Sequence, residues 1–356
     1  MINKEILAGK LRLIVEGMLR IQKEENFTED CPIGLIDFKQ WEWSQGVGLY
    51  GLYRYYQQTR SHKLLAQLIQ WYDERLFEGL PPKNVNTMAP MLTLAFLYEE
   101  THNPKYYDLC DEWCRYIMDT MPRTPYGGLQ HICIDRPNTG QLWDDTLFMT
   151  VLFLAKWGKV TENYDLVQEA VYQFLLHSAY LRDARTGLWY HGWTFENMDN
   201  FAGAFWARGN CWITAVIVDF IEMVTPEPAV TAYLKTLLSS QVQSLRRFQA
   251  DNGEWHTLLD DPSSYTEVSA TAGFGYGILK GIRLGLLDES YASCGKHALA
   301  AVMDRIDDRG TVTQVSYGTA MGDTLDFYRK IPLTPMPYGQ ALALLLLCEG
   351  QLLKDL

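Results

Sequence analysis

Residues 146–157 read TLFMTVLFLAKW, and this stretch decides the fold because it is apolar on nearly every face of a helix. A helix of that kind has to be buried all round. The chain contains five further segments of the same character, and the six segments start 43 to 66 residues apart. The other five begin at Gly46, Ala89, Cys211, Gly273 and Gly339. Such repetition predicts a fold built from one repeated unit.

Amphipathic segments lie between the apolar ones. Residues 106–118 (YYDLCDEWCRYIM) and 164–176 (YDLVQEAVYQFLL) each combine an apolar stripe with a charged face, which is typical of half-buried helices. Six pairs of an inner and an outer helix predict an all-α fold, a closed (α/α)6 toroid spanning residues 1–356 as one domain. The alternative is an open solenoid, which would leave one face of each inner helix wet and is therefore less favoured.

Glycine-centred stretches keep the same period. They begin at Gly127, Gly187, Gly253 and Gly310, which are 57 to 66 residues apart. Each stretch predicts a short β-strand or hairpin between an outer helix and the next inner helix.

The charge of the chain excludes two classes of partner. Its 31 Lys and Arg residues stand against 43 Asp and Glu residues, which gives a formal net charge of −12. Nucleic acid and anionic membrane surfaces would both repel such a chain, so we expect neither as a partner. The longest apolar run, residues 341–348, is far too short to span a bilayer.

The cysteine pattern indicates a reducing compartment. Seven cysteines are scattered without a CxxC motif, and the N-terminal residues lack the apolar region of a signal peptide. We therefore expect a cytoplasmic protein. We find no metal or cofactor motif and expect no cofactor. The glycines of residues 273–277 form GxGxG without a preceding strand, a pattern that favours tight helix packing over a dinucleotide site.

A closed barrel brings the starts of all inner helices to one mouth, so the residues before those helices converge in space. They include aromatic rings, carboxylates, amides and a guanidinium group. The candidates are Trp41, Glu42, Trp43, Asn84, Asn86, Trp143, Asp144, Asp145, Trp206, Arg208 and Glu267, joined by His131 and His191 from the glycine-centred loops. Helix capping does not require Trp at three of these starts, whereas Trp faces are common in carbohydrate clefts.

Each of these residues also has a purely structural interpretation. Asp144 and Asp145 suit a helix N-terminus, where carboxylates cap free N–H groups and face the positive end of the helix dipole. His131 and His191 can be ordinary buried histidines. Arg208 can stack on the indoles of its WARGNCW stretch or bind an anion with two N–H groups.

Five motifs resemble glycoside hydrolase family 105, the unsaturated rhamnogalacturonyl hydrolases. They are WEWSQGVGLYGL (41–52), GGLQH (127–131), LWDDTLFMTVLFLAKWG (142–158), TGLWYHGW (186–193) and WARGNCW (206–212). The related family 88, the unsaturated glucuronyl hydrolases, shares the fold and the chemistry and is a close competitor. The resemblance implies an (α/α)6 barrel whose pocket holds a Δ4,5-unsaturated galacturonic acid at the non-reducing end of a rhamnogalacturonan oligosaccharide.

The resemblance also implies roles for individual residues. The catalytic Asp of the family stands two positions after a Trp at the head of an inner helix, and it matches Asp145. The expected substrate-binding residues, by this match or by their place at the mouth, are Trp41, Glu42, Trp43, Asn86, His131, Asp144, His191, Trp206, Arg208 and Trp212. The acidic residue often found before the second inner helix is not evident, since Asn84 and Asn86 stand there. Two alternatives therefore stay open: a second carboxylate assists Asp145, or Asn86 takes its place through hydrogen bonds alone.

The implied reaction is the hydration of a vinyl ether. Asp145 protonates C4 of the unsaturated sugar, positive charge develops at C5 and the ring oxygen, and water adds at C5. The resulting hemiketal opens and the glycosidic bond breaks. A general acid must be partly protonated near neutral pH, so we expect burial among Trp rings and repulsion from Asp144 to raise the pKa of Asp145.

Two rival interpretations keep the helical repeats but change the function. A sugar epimerase on the same fold would use His131 and His191 as an acid–base pair, and its product would keep the glycosidic linkage intact. An open helical scaffold that binds a peptide would have no pocket among Trp43, Asp145 and Arg208. The sequence does not indicate an oligomeric state.

Overall fold

The computed structural model describes residues 3–24, 27–29 and 31–353. Its α-helices in this range are, in chain order, α1 (Lys4–Leu19), α2 (Trp43–Thr59), α3 (His62–Glu78), α4 (Ala89–Thr101), α5 (Pro104–Asp119), α6 (Leu152–Val160), α7 (Tyr164–Leu181), α8 (Ala207–Val224), α9 (Pro228–Phe248), α10 (Val268–Arg283), α11 (Ala292–Asp304), α12 (Leu325–Arg329) and α13 (Pro337–Leu352). A π-helical turn, Leu147–Val151, leads directly into α6. Single 3₁₀ turns lie at Asn86–Met88, Pro125–Gly127 and Glu289–Tyr291.

The inner helices close into a ring. Helices α2, α4, α6, α8, α10 and α13 each pack against the next, and α13 packs against α2. The outer layer consists of α1, α3, α5, α7, α9 and α11, and α1 from the start of the chain packs against α13 from its end. The predicted closed (α/α)6 toroid is therefore confirmed, and the open solenoid is wrong because its two ends would not meet.

The burial of each helix follows its sequence pattern. Every residue of α13 from 337 to 350 is buried, whereas α5 buries only one stripe. Gly51 marks the seam where α2 and α13 meet, since a Cβ atom there would lie 2.9 Å from Cα of Ala341. The lack of a side chain at Gly51 lets the two backbones approach closely and completes the ring.

The strands are short and lie at the mouth of the ring. They are β1 (Gln141–Trp143), β2 (Gly192–Thr194), β3 (Trp255–His256) and β4 (Thr266–Glu267). The pair β3–β4 is a local antiparallel hairpin, as predicted. Strand β1 instead pairs antiparallel with β2, with Trp143 opposite Gly192, although α6 and α7 lie between them in the chain. A strand at the start of one repeat is thus completed by the loop of the next.

The opposite end of the barrel buries a network of charged and phenolic side chains, which we call the floor network. Asp219 accepts hydrogen bonds from Tyr50 (3.0 Å), Tyr276 (2.5 Å) and Lys280 (2.5 Å), and Lys280 also contacts Glu222 at 2.6 Å. Its further members are Arg54, Arg283 and Glu349, which extend the ion pairs around Glu222. Asp219 and Lys280 are both almost fully buried.

Among the described residues, no helix combines the length and the apolar character that crossing a lipid bilayer requires. The seven cysteines are all free thiols, and six of them are buried.

Candidate active site

The pairing of β1 with β2 assembles the centre of the site. Asp144 and Asp145 directly follow β1, and His191 directly precedes β2. The backbone N–H of Asp144 donates to the carbonyl of His191 at 3.0 Å and continues the ladder. As a result Oδ2 of Asp145 lies 3.3 Å from Nε2 of His191, and neither atom makes a hydrogen bond of standard geometry.

The loop of His191 is fixed to the first turn of α8. Asn210 accepts from the backbone N–H of Trp189 at 2.8 Å and donates to its carbonyl at 2.7 Å. Gly209 allows Asp144 to pack against the same turn, since a Cβ atom there would lie 2.3 Å from Oδ2 of Asp144. Gly209 and Asn210 of the WARGNCW motif thus fix the positions of Asp144 and of the loop that carries His191.

His131 supports the site from the glycine-centred loop before β1. Its backbone N–H donates to the carbonyl of Gln141, and Nδ1 lies 2.8 Å from the hydroxyl oxygen of Thr146. The imidazole stacks on the indole of Trp143, with ring centres 4.1 Å apart and planes 7° from parallel. Burial lowers the pKa of His131 to about 3, although the Asp145 carboxylate opposes the shift, so the ring is neutral at physiological pH.

The two carboxyl groups at the start of the third inner helix titrate together. Burial raises the pKa of Asp144 well above its usual range, and the neighbouring charge of Asp145 adds to the effect. Burial also acts to raise the pKa of Asp145, but His191 and the proton on Asp144 outweigh it and hold the pKa below its usual range. The expectation of a raised pKa for Asp145 is therefore wrong for the free site. The directions of the two shifts favour Asp144 over Asp145 as the carrier of a shared proton.

Arg208 forms a clamp. Its guanidinium lies over the ring of Trp206 at 4.3 Å, as predicted, and over Tyr338 at 4.8 Å in place of the other indole of its motif. Its terminal N–H groups donate to the carbonyl oxygens of Ser316 and Tyr317 and to the hydroxyls of Ser316 and Thr319. Only its Nε–H has no partner, so most of its donors hold the 316–319 segment instead of facing the pocket.

A narrow pocket opens between these elements. It is lined by Ile33, Trp43, Asn86, His131, Trp143, Asp145, Met149, Trp206, Arg208 and Thr319. Six of the expected substrate-binding or catalytic residues therefore converge: Trp43, Asn86, His131, Asp145, Trp206 and Arg208. Trp212 is fully buried next to the pocket, with its ring centre 6.3 Å from that of Trp43 and its indole N–H without a partner.

Two expected residues take other positions. Trp41 does not reach the pocket: it packs on Trp71 and Trp113, and its indole N–H donates to the carbonyl of Thr87 at 2.9 Å. Its place before the first inner helix points it toward the outer layer. Glu42 caps α2 by accepting from the N–H of Trp43 at 2.7 Å, and burial raises its pKa to about 8.

Residues from the last third of the chain also reach the site, although they were not predicted. Tyr338 lies in the first turn of the sixth inner helix, α13, and extending the rule for helix starts to that repeat would have found it. It stacks on Trp43 with ring centres 4.6 Å apart. Tyr328 of α12 lies with its hydroxyl 2.7 Å from Nδ1 of His191. Tyr328 and Thr319 come from the 316–336 segment, which has no periodic pattern that would single them out.

One group of side chains at the centre has the composition of a cation site. Potential ligand atoms of Asp144, Asp145 and His191 all lie within 4.8 Å of one another. The same atoms form the proton-sharing centre described above.

A pocket walled by indole rings and centred on a proton-sharing carboxyl pair, at the mouth of an (α/α)6 barrel, defines a carbohydrate-processing enzyme. Comparison with known proteins agrees with this class. The model of Glycosyl Hydrolase Family 88 matches residues 18–353. The chain therefore belongs to this family and is a glycosidase, and the predicted resemblance to families 105 and 88 is confirmed.

Individual relatives extend the match over nearly the whole chain. The unsaturated rhamnogalacturonyl hydrolase YesR of Bacillus subtilis strain 168 is 32% identical over 317 residues, which are 88% of this chain and 90% of that protein. The crystal structure of a possible family 105 member from Salmonella enterica serovar Paratyphi A superposes with a TM-score of 0.96 at 47% identity, covering 99% and 95% of the two chains. The unsaturated glucuronyl hydrolase of Bacillus sp. GL1 shares the fold, with a TM-score of 0.73 at 17% identity over 97% and 96%.

Proposed function

We propose that this glycosidase removes a Δ4,5-unsaturated galacturonic acid from the non-reducing end of rhamnogalacturonan oligosaccharides, the lyase products of pectin. The contact at 3.3 Å between His191 and Asp145, which lines the indole-walled pocket, carries the proposal. The similarity to YesR over 88% of the chain supports rhamnogalacturonan as the source of the substrate. An unsaturated glucuronyl substrate is the alternative, and the shared fold with the Bacillus sp. GL1 enzyme speaks for it.

Asp145 is the proposed acid and base. It delivers a proton to C4 of the unsaturated ring and then accepts one from the water that adds at C5, so that the side chain ends each cycle in its starting state. The hemiketal formed at C5 opens, and the bond to the next sugar breaks in the same collapse. No second carboxylate is needed on the opposite face of the sugar, unlike in hydrolysis of a saturated glycoside.

The proton for this step is already in the site. In the free enzyme we place it on Asp144, because burial raises the pKa of that side chain well above its usual range. A bound uronate excludes water and brings a negative carboxylate, and both effects disfavour a second charge on Asp145. Substrate binding therefore moves the shared proton toward Asp145, where it can reach C4.

The remaining pocket residues bind and orient the sugar. The indoles of Trp43 and Trp206 offer apolar surface to the sugar ring, and Asn86 offers an amide for hydrogen bonds to hydroxyl groups. Neutral His131 cannot supply a positive charge, so the substrate carboxylate is met by the N–H groups of the pocket and the positive field of Arg208. Asn86 replaces a second acid through hydrogen bonds alone.

We further propose that residues 1–356 act as one catalytic domain and that the protein works in the cytoplasm. The family model matches residues 18–353, which is most of the chain. The free thiols suit a reducing compartment. Activity is expected in the cytoplasmic fraction of the source cells, and activity confined to another fraction would contradict this.

The test follows the ultraviolet absorbance of the conjugated double bond, which hydration abolishes. Purified protein is mixed in turn with unsaturated rhamnogalacturonan disaccharide and with unsaturated glucuronyl disaccharides, and kcat/KM is compared. The decay should be fastest on the rhamnogalacturonan product and should disappear in Asp145→Asn. Faster decay on a glucuronyl disaccharide would favour the alternative substrate, and a product with an intact linkage would indicate an epimerase.

A further inference from the structure

Tyr328 is a buried side chain to which the proposed reaction gives no role. It stands on α12, in the segment that crosses the mouth of the barrel, and is 1% exposed. Its hydroxyl oxygen lies 2.7 Å from Nδ1 of His191 and 3.2 Å from the backbone nitrogen of Gly322. It therefore touches the face of His191 that is turned away from Asp145.

The hydrogen bonds around this hydroxyl determine where its proton points. A phenol has one proton to donate, and Gly322 N–H already donates to its oxygen. The two acceptors in reach are Nδ1 of His191 at 2.7 Å and the sulfur of Met321 at 3.7 Å, and a thioether is a weak acceptor. The proton of Tyr328 is thus donated to Nδ1, and a neutral imidazole must then carry its own proton on Nε2.

We propose that Tyr328 is a positioning residue that fixes His191 in the tautomer with Nε2–H facing Oδ2 of Asp145. This inference rests on the proposed function of Asp145. The Nε2–H tautomer stabilises the Asp145 carboxylate in the free enzyme and again after Asp145 has given its proton to C4. The opposite tautomer would turn a lone pair toward the carboxylate and repel it. The 3.3 Å contact is long for a hydrogen bond, as is common before a substrate closes the site.

Other ionisable groups surround His191 and contribute to any pH dependence. The start of the third inner helix brings Asp144 and Asp145, and the glycine-centred loop brings His131. Tyr328 comes from α12, with Asp323 near it in the same segment. From α8, Arg208 lies over the indole of Trp206, which also packs on His191.

The tautomer of His191 can be determined without an activity assay. In ¹⁵N-histidine-labelled protein, the two nitrogen shifts of His191 distinguish a protonated ring nitrogen from an unprotonated one, and loss of the signals in His191→Gln assigns them. We expect protonated Nε2 and unprotonated Nδ1 in the wild type, and a shift of both signals toward the other tautomer in Tyr328→Phe. Unchanged shifts in Tyr328→Phe, or protonated Nδ1 in the wild-type protein at neutral pH, would overturn the proposal.

Tyr317→Phe is the matched control. It also removes a phenol from the 316–336 segment, and its hydroxyl accepts from the backbone N–H of Cys31 at 3.2 Å. The His191 shifts should be the same as in the wild type. Thermal unfolding of both variants shows that they remain folded.

A double-mutant cycle tests the same claim by kinetics. Tyr328→Phe should lower kcat about tenfold while changing KM less than about twofold, and the pH profile of kcat should shift. In the His191→Gln background the same substitution should have no further effect, because Tyr328 acts only through the imidazole. Equal losses in both backgrounds would show a merely structural role and contradict the proposal. A wild-type enzyme without activity on any unsaturated disaccharide would instead refute the proposed function, and the nitrogen shifts would still decide the tautomer.

Discussion

Both ends of the barrel bury polar side chains, but the two ends differ in whether these side chains have hydrogen-bond partners. In the described floor network, Asp219 and Lys280 are surrounded by partners, and no buried polar atom of that network lacks one. At the mouth, the oxygens of Asp144, Oδ2 of Asp145 and the indole N–H of Trp206 have none. An unsatisfied buried polar group costs about 1–3 kcal/mol of stability. The unsatisfied groups at the mouth therefore lower the stability of the fold but are available to bind a ligand. The charged groups of the floor network instead hold the helices together.

The sharpest test of this contrast is Asp145→Asn at the mouth. The amide keeps the size of the side chain but cannot deliver or accept the proton, so kcat should fall on the order of 10⁴-fold, or about 5.5 kcal/mol in the barrier. Its free energy of unfolding should fall by only about 1 kcal/mol, because the amide gives up the charge that His191 stabilises but keeps an oxygen that can accept from Nε2–H. Absorbance decay and urea unfolding measure the two quantities.

The same substitution at the floor, Asp219→Asn, should have the opposite result. Lys280 would keep Glu222 but lose its fully buried partner, and breaking a buried ion pair costs about 3–5 kcal/mol. The kcat of the folded fraction should stay within about twofold of the wild type. Asp108→Asn on the exposed face of α5 is the control. A stable Asp219→Asn protein would remove the distinction between the two ends.

Glu42 predicts a pH dependence of stability. Its folded pKa of about 8 lies above the usual 4.5, so the folded protein binds an additional proton between these values and the free energy of unfolding falls as pH rises through that window. Relative to Glu42→Gln, the wild type should lose on the order of 3 kcal/mol between pH 4.5 and pH 8. Urea unfolding across this range measures it, with exposed Glu196→Gln as the control. Parallel curves for wild type and Glu42→Gln would contradict the raised pKa.

The smallest expected effect is the difference between the substitutions of Trp41 and Trp43, which are two residues apart in the sequence. Trp41→Phe removes a hydrogen bond to Thr87 and part of a packed cluster, which should cost about 1–2 kcal/mol of stability, while kcat/KM stays within about twofold. Trp43→Phe should raise KM several-fold, because this ring lines the pocket. A raised KM in Trp41→Phe would contradict this prediction and indicate that Trp41 takes part in substrate binding.

The repeats and the starts of the inner helices could be predicted from the sequence because they depend on local patterns. An all-round apolar segment such as residues 337–350 can only be an inner helix, and six of them close a ring. The convergence of Asp145, Trp43 and Arg208 follows from that ring, since all inner helices begin at one mouth.

The remaining features depend on contacts that no local pattern encodes. The proton distribution between Asp144 and Asp145 depends on His191, which is brought in by a strand pair from different repeats. The donors of Arg208 are occupied by a segment more than one hundred residues away, and Tyr328 reaches the site from that same segment. Trp41 and Trp43 are nearly adjacent in sequence, and only the direction of each side chain sends one to the core and the other to the pocket.

The closure of α13 against α2 has a consequence for biosynthesis. Ribosomes add roughly 5–20 residues per second, so Gly51 and its neighbours wait tens of seconds before residue 341 is made. During that interval the apolar flank of α2 has no native cover. The nascent chain is therefore expected to expose this flank until α13 has been made, and aggregation during expression should respond to translation speed more than to the final stability of the enzyme.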